Sequence, residues 1–403
     1  MSRNIITGLD IGSSSVRAIV IEQKKDDTLH IIAASQKESE GVRKGYITNL
    51  EEASKSISLA VKSLEKISGL NIRNAMVSIG GISLSSTRSK AMVRTSKADG
   101  EITQNDISRL IAQSETNLAN MSNKKVIHSI PLLFKVDNTI VQGRPTDLKG
   151  AKLEVESLFI SCLSLHLNDL IKTVESSGLA IEDVIASPLA MSYAILTPQQ
   201  KETGCVLANI GASTVSVIVF EEGLPISLEV FPIGSSHITN DIALGLQVPL
   251  DEAERIKINY GSESPSSRKK LSDIIEARLN DIFEMIESHL KKIDRNQVLP
   301  AGIILTGSGS NLFTLEEIAR TSLRLPARIG NLAPRNNQSL SITAPSNNLR
   351  DQILNDPGWS VALGLCLFGF HNGNPYIFEG RKPGSGSGRI VPSIKKWLHS
   401  LLP

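Results

Sequence analysis

Three short turns of small residues follow apolar, strand-like segments of the chain. They span residues 10–15, 211–214 and 306–310. In turns of this composition the backbone N–H groups can approach phosphate oxygens, and serine or threonine hydroxyls add further donors. Asp10 could also hold Mg²⁺ through water, because this hard cation prefers oxygen ligands and keeps several of its waters. Taken alone, each turn is more often an ordinary glycine–serine hairpin.

A charged pair lies between the second and third turns. Glu254 and Lys257 are three positions apart in a helix-like segment, so they share one face of that helix. Alone, this pair is typical of a surface ion pair. The order of turn, turn, charged helix and turn is much harder to obtain by chance, and it favours a site for a phosphate-bearing ligand.

Strand-like segments surround the first two turns in the same way. Apolar runs at 5–12, 16–21 and 29–33 bracket the first turn, and runs at 204–209, 215–220 and 226–231 bracket the second. A helix is predicted over 50–68 from its apolar residues at three- and four-residue spacing. Because the plan repeats about 200 residues later, it predicts two like α/β domains that face each other across a cleft.

A polar stretch interrupts the first of these domains. Residues 82–161 are rich in Ser, Thr and Asn and predict an α+β insertion, with a helix starting at Thr103 by side-chain capping. We place the first half at 1–81 and 162–195, the second half at 196–378, a flexible linker at 379–389 and a terminal helix at 390–403.

Composition narrows the class of protein. The 403 residues carry a net charge of +2, with basic residues scattered among acidic ones, so wholesale nucleic-acid binding is not expected. Three distant cysteines in apolar surroundings predict buried free thiols in a reducing cytosol. No apolar run is long enough for a signal peptide or a membrane span, so any membrane contact should be peripheral and cytosolic.

Together with these motifs, several further stretches make the chain resemble the FtsA family of the actin–chaperone–sugar kinase superfamily. The resemblance covers nearly the whole chain, and the insertion falls where this family carries its distinctive subdomain. It implies an actin-like α/β fold, with two ribonuclease-H-like domains around a nucleotide cleft and an FtsA-type inserted subdomain. The stretches that carry it are 41–45, 130–131, 178–179, 186–190, 239–243, 253–257, 301–307 and 361–365.

The resemblance also implies that the cleft binds ATP with Mg²⁺, the metal lying at Asp10. Glu254 and Lys257 would flank the ribose and base. The residues implied on the first side of the phosphates are Asp10, Gly12, Ser13, Ser14 and Ser15. Those implied on the second side are Asn209, Gly211, Ala212, Ser213 and Thr214. The residues implied to allow close approach of the adenosine are Gly307, Ser308 and Gly309.

The second turn departs from the superfamily pattern. Asn209 and Ser216 stand where aspartates are usual, and Ala212 and Ser213 replace glycines. An amide cannot take a proton from an attacking water as a carboxylate can, and it neutralises less metal charge. We therefore expect nucleotide binding with hydrolysis that is slow or absent.

The family's function would be to polymerise at the cytoplasmic face of the membrane, at the division site, and to tether FtsZ filaments there. Later division proteins would be further partners. The C-terminal tail of FtsZ would dock near a long helix predicted over 272–293, where Arg278 is a candidate contact and structural packing an equal alternative. A PilM-type pilus-assembly adaptor and, less favoured, a sugar or acid kinase of the same superfamily are the competing interpretations.

The terminal helix separates these interpretations, because neither competitor needs one that binds lipid. At about 100° per residue its apolar side chains form one face and its lysines lie on the other. A Gly/Ser-rich linker argues against the alternative of a core helix, and tryptophan beside lysine suits an anionic membrane surface. The predicted membrane contacts are Ile394, Lys395, Lys396, Trp397, Leu398, Leu401 and Leu402.

We predict that Trp397→Glu releases the protein from anionic vesicles without weakening nucleotide binding. A charge on the apolar face opposes its insertion among the lipids. Vesicle co-sedimentation of the full chain, this variant and a chain ending at Gly380 measures the effect. Vesicle binding that persists in the variant would count against the anchor.

Overall fold

The computed structural model describes residues 4–26, 28–260, 265–312, 314–332 and 342–371. The predicted linker at 379–389 and terminal helix at 390–403 lie outside the described residues, as do the lipid contacts assigned to them.

The described residues form seventeen strands and eleven α-helices. The strands are β1 (Asn4–Ile11), β2 (Ser15–Gln23), β3 (Leu29–Glu38), β4 (Val42–Arg43), β5 (Tyr46–Ile47), β6 (Asn74–Ile79), β7 (Ser85–Arg94), β8 (Lys124–Val136), β9 (Thr139–Val141), β10 (Lys152–Leu163), β11 (Ala180–Ala186), β12 (Cys205–Ile210), β13 (Val215–Glu221), β14 (Leu224–Phe231), β15 (Ile303–Thr306), β16 (Ala327–Ile329) and β17 (Ile342–Thr343). The helices are α1 (Leu50–Ser68), α2 (Gln104–Thr116), α3 (Ser164–Ser176), α4 (Ser187–Ile195), α5 (Pro198–Thr203), α6 (Ser235–Leu246), α7 (Leu250–Ile258), α8 (Pro265–Lys292), α9 (Leu315–Leu323), α10 (Asn347–Leu354) and α11 (Ser360–Phe370).

Two sheets share one topology. The first has the order β11-β6-β1-β2-β3-β17, in which β1, β2 and β3 form an antiparallel meander and β6 and β11 add in parallel. The second has the order β14-β13-β12-β15-β16, again a meander followed by two parallel strands. The strands predicted around both turns are confirmed, and so is the repeat of the plan in the second half.

Local sequence signals fix the ends of two predicted helices. The helix predicted over 50–68 is confirmed as α1: Asn49 caps its start through two backbone N–H groups, and Gly69 ends it at a φ of 68°. The helix predicted to start at Thr103 is confirmed as α2. There, Thr103 and Asp106 form a reciprocal capping box.

The inserted stretch forms a sheet of its own. Its order is β7-β10-β8-β9, antiparallel throughout, with α2 packed against it over a small apolar core. Strand β10 runs directly into α3 of the first half, so the insertion is continuous with that half.

The largest apolar core fills the first half and continues onto one face of the second sheet, through Leu207, Ile218 and Phe220. Helix α11 crosses α4 within it and β17 pairs with β3, so α11 and β17 both belong to the first half and not to the second, to which the predicted bounds 196–378 assign them. Gly364 makes that crossing possible, because a Cβ at this position would clash with the carbonyl oxygen of Ala190. A second core lies between the other face of the second sheet and α8. All three cysteines are buried and unpaired by disulfides, as predicted.

Within the described ranges no single helix has both the length and the apolar character to cross a membrane. One pair, Asn347–Leu354 with Pro357–Phe370, meets the length and composition requirement jointly, with a bend of 80° between its members.

Candidate nucleotide-binding site

The two predicted turns have the same backbone geometry. The Gly12 N–H donates to the Ser15 carbonyl at 3.1 Å, and the Gly211 N–H donates to the Thr214 carbonyl at 2.9 Å. A Cβ on Gly12 would lie 3.0 Å from the carbonyl oxygen that its N–H bonds, and one on Gly211 would lie 2.9 Å away. Both turns are therefore closed by backbone atoms and leave their remaining N–H groups and hydroxyls to face a ligand.

The turns face each other across one cleft. Its wall also includes side chains that sequence reasoning did not select, among them Arg17, Ser78, Ser187 and Ser360. The predicted residues that line it are Asp10, Gly12, Ser13, Ser14, Ser15, Asn209, Gly211, Ala212, Ser213, Thr214, Gly307 and Ser308. The structure thus brings together the two phosphate turns and the start of the third.

Three serine hydroxyls in the cleft wall could donate hydrogen bonds to a ligand. The Oγ atoms of Ser15, Ser213 and Ser360 are buried and have no hydrogen-bond partner in the part of the chain that the structure describes. A buried hydroxyl left unpaired costs about 1–3 kcal/mol. Phosphate oxygens are acceptors that could meet all three, so the residues present fit a phosphate-bearing ligand.

The second turn is held from behind by the start of α6. Ser235 N–H donates to the Gly211 carbonyl at 2.9 Å, and Ser236 N–H to the Ala212 carbonyl at 2.8 Å. Because a trans peptide sets its N–H opposite its C=O, the N–H groups of Ala212 and Ser213 point away from α6. Both residues also line the cleft.

A row of polar side chains crosses the cleft floor. Ser78 Oγ donates to Asp10 at 2.7 Å, Arg17 lies opposite Asp10 across β1 and β2, and Arg17 Nε donates to Gln36 at 3.2 Å. Burial raises the pKa of Asp10, although the Ser78 hydrogen bond and the charge of Arg17 act to lower it. Of the described residues, Asp10 is the only carboxylate and Arg17 the only guanidinium or ammonium in the cleft wall.

Arg17 also reaches the other half of the molecule. Its Nη2 lies 3.3 Å from Ser308 Oγ, and its guanidinium lies 5.9 Å from the centre of the Trp359 ring. A signal for it exists in the sequence, since it is the one charge within the otherwise apolar run 16–21 of β2. A charge at such a position requires a polar partner or a ligand.

The residues that replace the usual aspartates lie side by side. Asn209 and Ser216 are opposite each other on β12 and β13, and both line the cleft. Gly307, at a φ of 91°, lies so near Asn209 that a Cβ there would clash with its side-chain oxygen. The second half therefore offers the cleft an amide and hydroxyls, with no carboxylate among its described lining residues.

Glu254 and Lys257 pair as predicted but lie outside the cleft wall. Lys257 is buried, and its Nζ donates to Glu254 at 2.7 Å, to Thr239 at 2.9 Å and to the Ser235 carbonyl at 3.4 Å. Burial alone would raise the pKa of Glu254, but the hydrogen bonds from Lys257 and Thr239 lower it. The pair thus supports the start of α6 behind the second turn, and its contact with ribose or base stays a prediction.

Gly309 is also absent from the cleft wall. It is buried below Ser308, and a Cβ at this position would lie 2.7 Å from the Ile210 side chain and 2.9 Å from the Ile210 carbonyl. Because Gly309 has no side chain, the third turn can pack closely on β12.

Two histidines, the half-buried His128 and the buried His166, fix backbone near the first turn. His128 Nε2 accepts the Ala186 N–H at 3.0 Å, directly before Ser187 in the cleft wall. His166 Nε2 lies 2.8 Å from the Gly45 carbonyl, and the Gly45 N–H donates to Ser13 at 3.0 Å. Burial lowers the pKa of both, that of His128 to about 4.

Arg278 lies away from the nucleotide cleft, on a groove between β14 and α8. It pairs with Asp241 at 2.6 Å and with Asp281 at 3.1 Å, so the packing role considered from the sequence is confirmed. A partner contact stays a prediction. The groove is lined by Glu229, Phe231, Pro232, Ile233, Arg278, Asp281, Glu284, Met285, Ser288, His289 and Lys292.

Comparison with known sequences gives one consistent result. The family model described as "Cell division protein FtsA" matches residues 206–364, and that described as "SHS2 domain inserted in FTSA" matches residues 81–161. The FtsA of Borreliella burgdorferi is 33% identical over 91% of this chain and 91% of its own. That of Pseudomonas aeruginosa is 28% identical over 98% of each.

Comparison with solved structures shows the fold. The chain superposes on a PilM–PilN type IV pilus biogenesis complex with a TM-score of 0.65 at 17% identity, covering 90% of this chain and 98% of the other. It superposes on ADP-bound MreB5 of Spiroplasma citri with a TM-score of 0.52 at 11% identity, covering 92% and 97%. The predicted actin-like fold with an FtsA-type inserted subdomain is confirmed.

The half-buried imidazole of His128 makes the free energy of unfolding depend on pH. Its pKa of about 4 lies below the ordinary 6.5, so between these values the unfolded chain binds more protons. The stabilisation is therefore complete above pH 6.5 and is lost as the pH falls toward 4. Between pH 7 and pH 5, wild type should lose about 1–2 kcal/mol more unfolding free energy than His128→Gln. Urea unfolding at the two pH values measures this, and equal losses would contradict it.

Proposed function

This chain belongs to the FtsA family of cell division proteins, and we propose on that premise that it ties FtsZ filaments to the cytoplasmic membrane as an actin-like polymer. The observation that carries the proposal is the matched pair of small-residue turns facing one cleft, in a chain with the family's inserted subdomain. The site of action would be the cytoplasmic face of the membrane at the division site, where later division proteins would also bind.

The ligand of the cleft would be ATP. The backbone N–H groups of the two turns and the hydroxyls of Ser15, Ser213 and Ser360 would bind its phosphates, and Arg17 would offset their charge. Mg²⁺ would supply further charge neutralisation when bound. Asp10 is the carboxylate available to hold its water shell, which fits a cation that commonly takes one or two carboxylates beside substrate phosphates.

Hydrolysis would be slow or absent. Among the described cleft residues only Asp10 carries a carboxylate, and this is the carboxylate that would hold the water shell of Mg²⁺. Asn209 and Ser216 on the opposite side cannot take a proton from water as a carboxylate does. The chain would thus use ATP as a bound structural ligand.

Attachment to the membrane would come from the terminal helix. A single short amphipathic helix binds lipid only marginally, so stable attachment would require several copies on one polymer. Polymerisation and membrane binding would then favour each other.

The groove between β14 and α8 would receive the C-terminal tail of FtsZ. Phe231, Ile233 and Met285 offer apolar contacts, while Arg278 and Lys292 supply positive charge at its wall. Because Arg278 is already oriented by Asp241 and Asp281, it would meet a peptide without losing much further side-chain freedom.

The two alternatives are less well supported. The structural likeness to PilM is at 17% identity and carries the fold alone, whereas relatives named FtsA match over nearly the whole chain. A sugar or acid kinase needs a base beside the transferred phosphate, and the second side of the cleft holds Asn209 there.

On anionic vesicles the full chain with ATP should recruit FtsZ, and Arg278→Glu should reduce this recruitment at least tenfold, because it places a negative charge beside Asp241 and Asp281 at the groove. Co-sedimentation of FtsZ with the vesicles measures it. Arg295→Glu is the matched control, because Arg295 forms a similar ion pair with Glu221 outside the groove. Failure of the wild-type chain to recruit FtsZ to vesicles that it binds would contradict the tethering role.

In a phosphate-release assay with Mg²⁺ and ATP, the rate of phosphate release by the wild-type protein should stay near background. The protein should still bind the nucleotide under these conditions. Asp10→Ala should weaken ATP binding about tenfold, because the metal loses its carboxylate. Metal-dependent release well above background, abolished by Asp10→Ala, would show that the chain is an ATPase after all.

A further inference from the structure

The outer edge of the second sheet is closed by the inserted subdomain. Strand β14 is an edge strand, and so is β7 of the insertion. Ser86 Oγ accepts the Leu228 N–H at 2.7 Å and donates to the Leu228 carbonyl at 3.1 Å. The Arg88 guanidinium donates twice to the Ile226 carbonyl, at 3.3 and 3.1 Å. Two side chains thus replace the neighbouring strand that β14 lacks.

The same subdomain is fixed to the first half. Strand β10 runs into α3, and His128 on β8 accepts the Ala186 N–H next to the cleft. The insertion therefore contacts both halves outside the cleft. A second attraction acts where it meets β14, because the Lys124 charge of the insertion and the Lys292 charge of α8 both act on the half-buried Glu229.

Strand β14 leads directly into the start of α6, which is hydrogen-bonded to the second phosphate turn. After Phe231 the chain passes Gly234, where a Cβ would lie 2.6 Å from the carbonyl oxygens of Gly211 and Ala212. Ser235 and Ser236 then donate their N–H groups to those carbonyls. A segment of eleven residues, 226–236, thus joins the insertion to the turn.

We infer that Ser86 and Arg88 are positioning residues for the nucleotide: by anchoring β14 to the insertion, they hold the start of α6 against the second phosphate turn. The direction of the Ala212 and Ser213 N–H groups depends on the bonds that Ser235 and Ser236 make. Those bonds depend in turn on the position of the end of β14, because α6 follows it after a short turn. Contacts made outside the cleft wall therefore set the geometry of its phosphate donors. The expected effect of these residues on nucleotide binding rests on the function proposed above. Their effect on the order of the backbone does not.

Amide hydrogen exchange of the full chain without nucleotide tests the anchoring itself. Ser86→Ala removes the acceptor of the Leu228 N–H, so exchange at Leu228 should become about tenfold faster. Exchange at Ser235 and Ser236 should also accelerate several-fold. Ser86→Thr keeps the hydroxyl and should restore both rates. Faster exchange confined to Leu228 would overturn the inference.

ATP titration tests the consequence for the site. The double variant Ser86→Ala/Arg88→Gln should bind ATP about three- to tenfold more weakly, since two hydrogen-bonded anchors are lost. Lys90→Gln is the matched control, because Lys90 lies on the same strand, loses the same charge and pairs with Glu156 as Arg88 does, without a bond to β14. Unchanged ATP affinity in the double variant, or an equal loss in Lys90→Gln, would overturn the inference. If wild type bound no ATP, the proposed nucleotide function would fail, and the exchange rates would still decide the anchoring.

Discussion

The cleft depends on one backbone hydrogen bond that occurs twice, from Gly12 to Ser15 and from Gly211 to Thr214. Each bond closes a hairpin turn without using a side chain, so the remaining polar groups of the turn are left for a ligand. The rest of the fold supplies the conditions for this. Two sheets of like topology bring the turns face to face, and the start of α6 fixes the peptide planes of the second turn.

This arrangement would explain how one site could keep a nucleotide and lose the means to hydrolyse it. Binding as proposed would rely on peptide N–H groups and small hydroxyls, which remain when a glycine is replaced by Ala212 or Ser213. Hydrolysis would rely on carboxylates at defined positions, which Asn209 and Ser216 occupy instead. A single substitution can therefore remove catalysis from the cleft, whereas its affinity is spread over many backbone contacts.

The sequence predicted what depends on near neighbours. The hairpin strands, α1 with its cap at Asn49 and the capping box of α2 follow from residues a few positions apart. Contacts between distant residues could not be obtained this way. Arg17 meets Ser308 and Ser86 meets Leu228 only after the halves assemble, and Lys257 proves to point behind the second turn. The three-residue spacing predicted that Lys257 lies beside Glu254. It could not predict which part of the molecule that face of the helix would contact.

The packing of α11 on α4 determines where mechanical load would enter the molecule. Helix α11 is the last described helix and lies in the core of the first half, with Gly364 against Ala190. Any pull exerted through the residues that follow it would thus be borne first by α11 and its neighbours. Such a pull would load the close contact of Gly364 with Ala190, where no side chain fits between the two helices. The groove between β14 and α8 belongs to the second half, so a force applied at the groove and resisted at α11 would pass from one half of the molecule to the other.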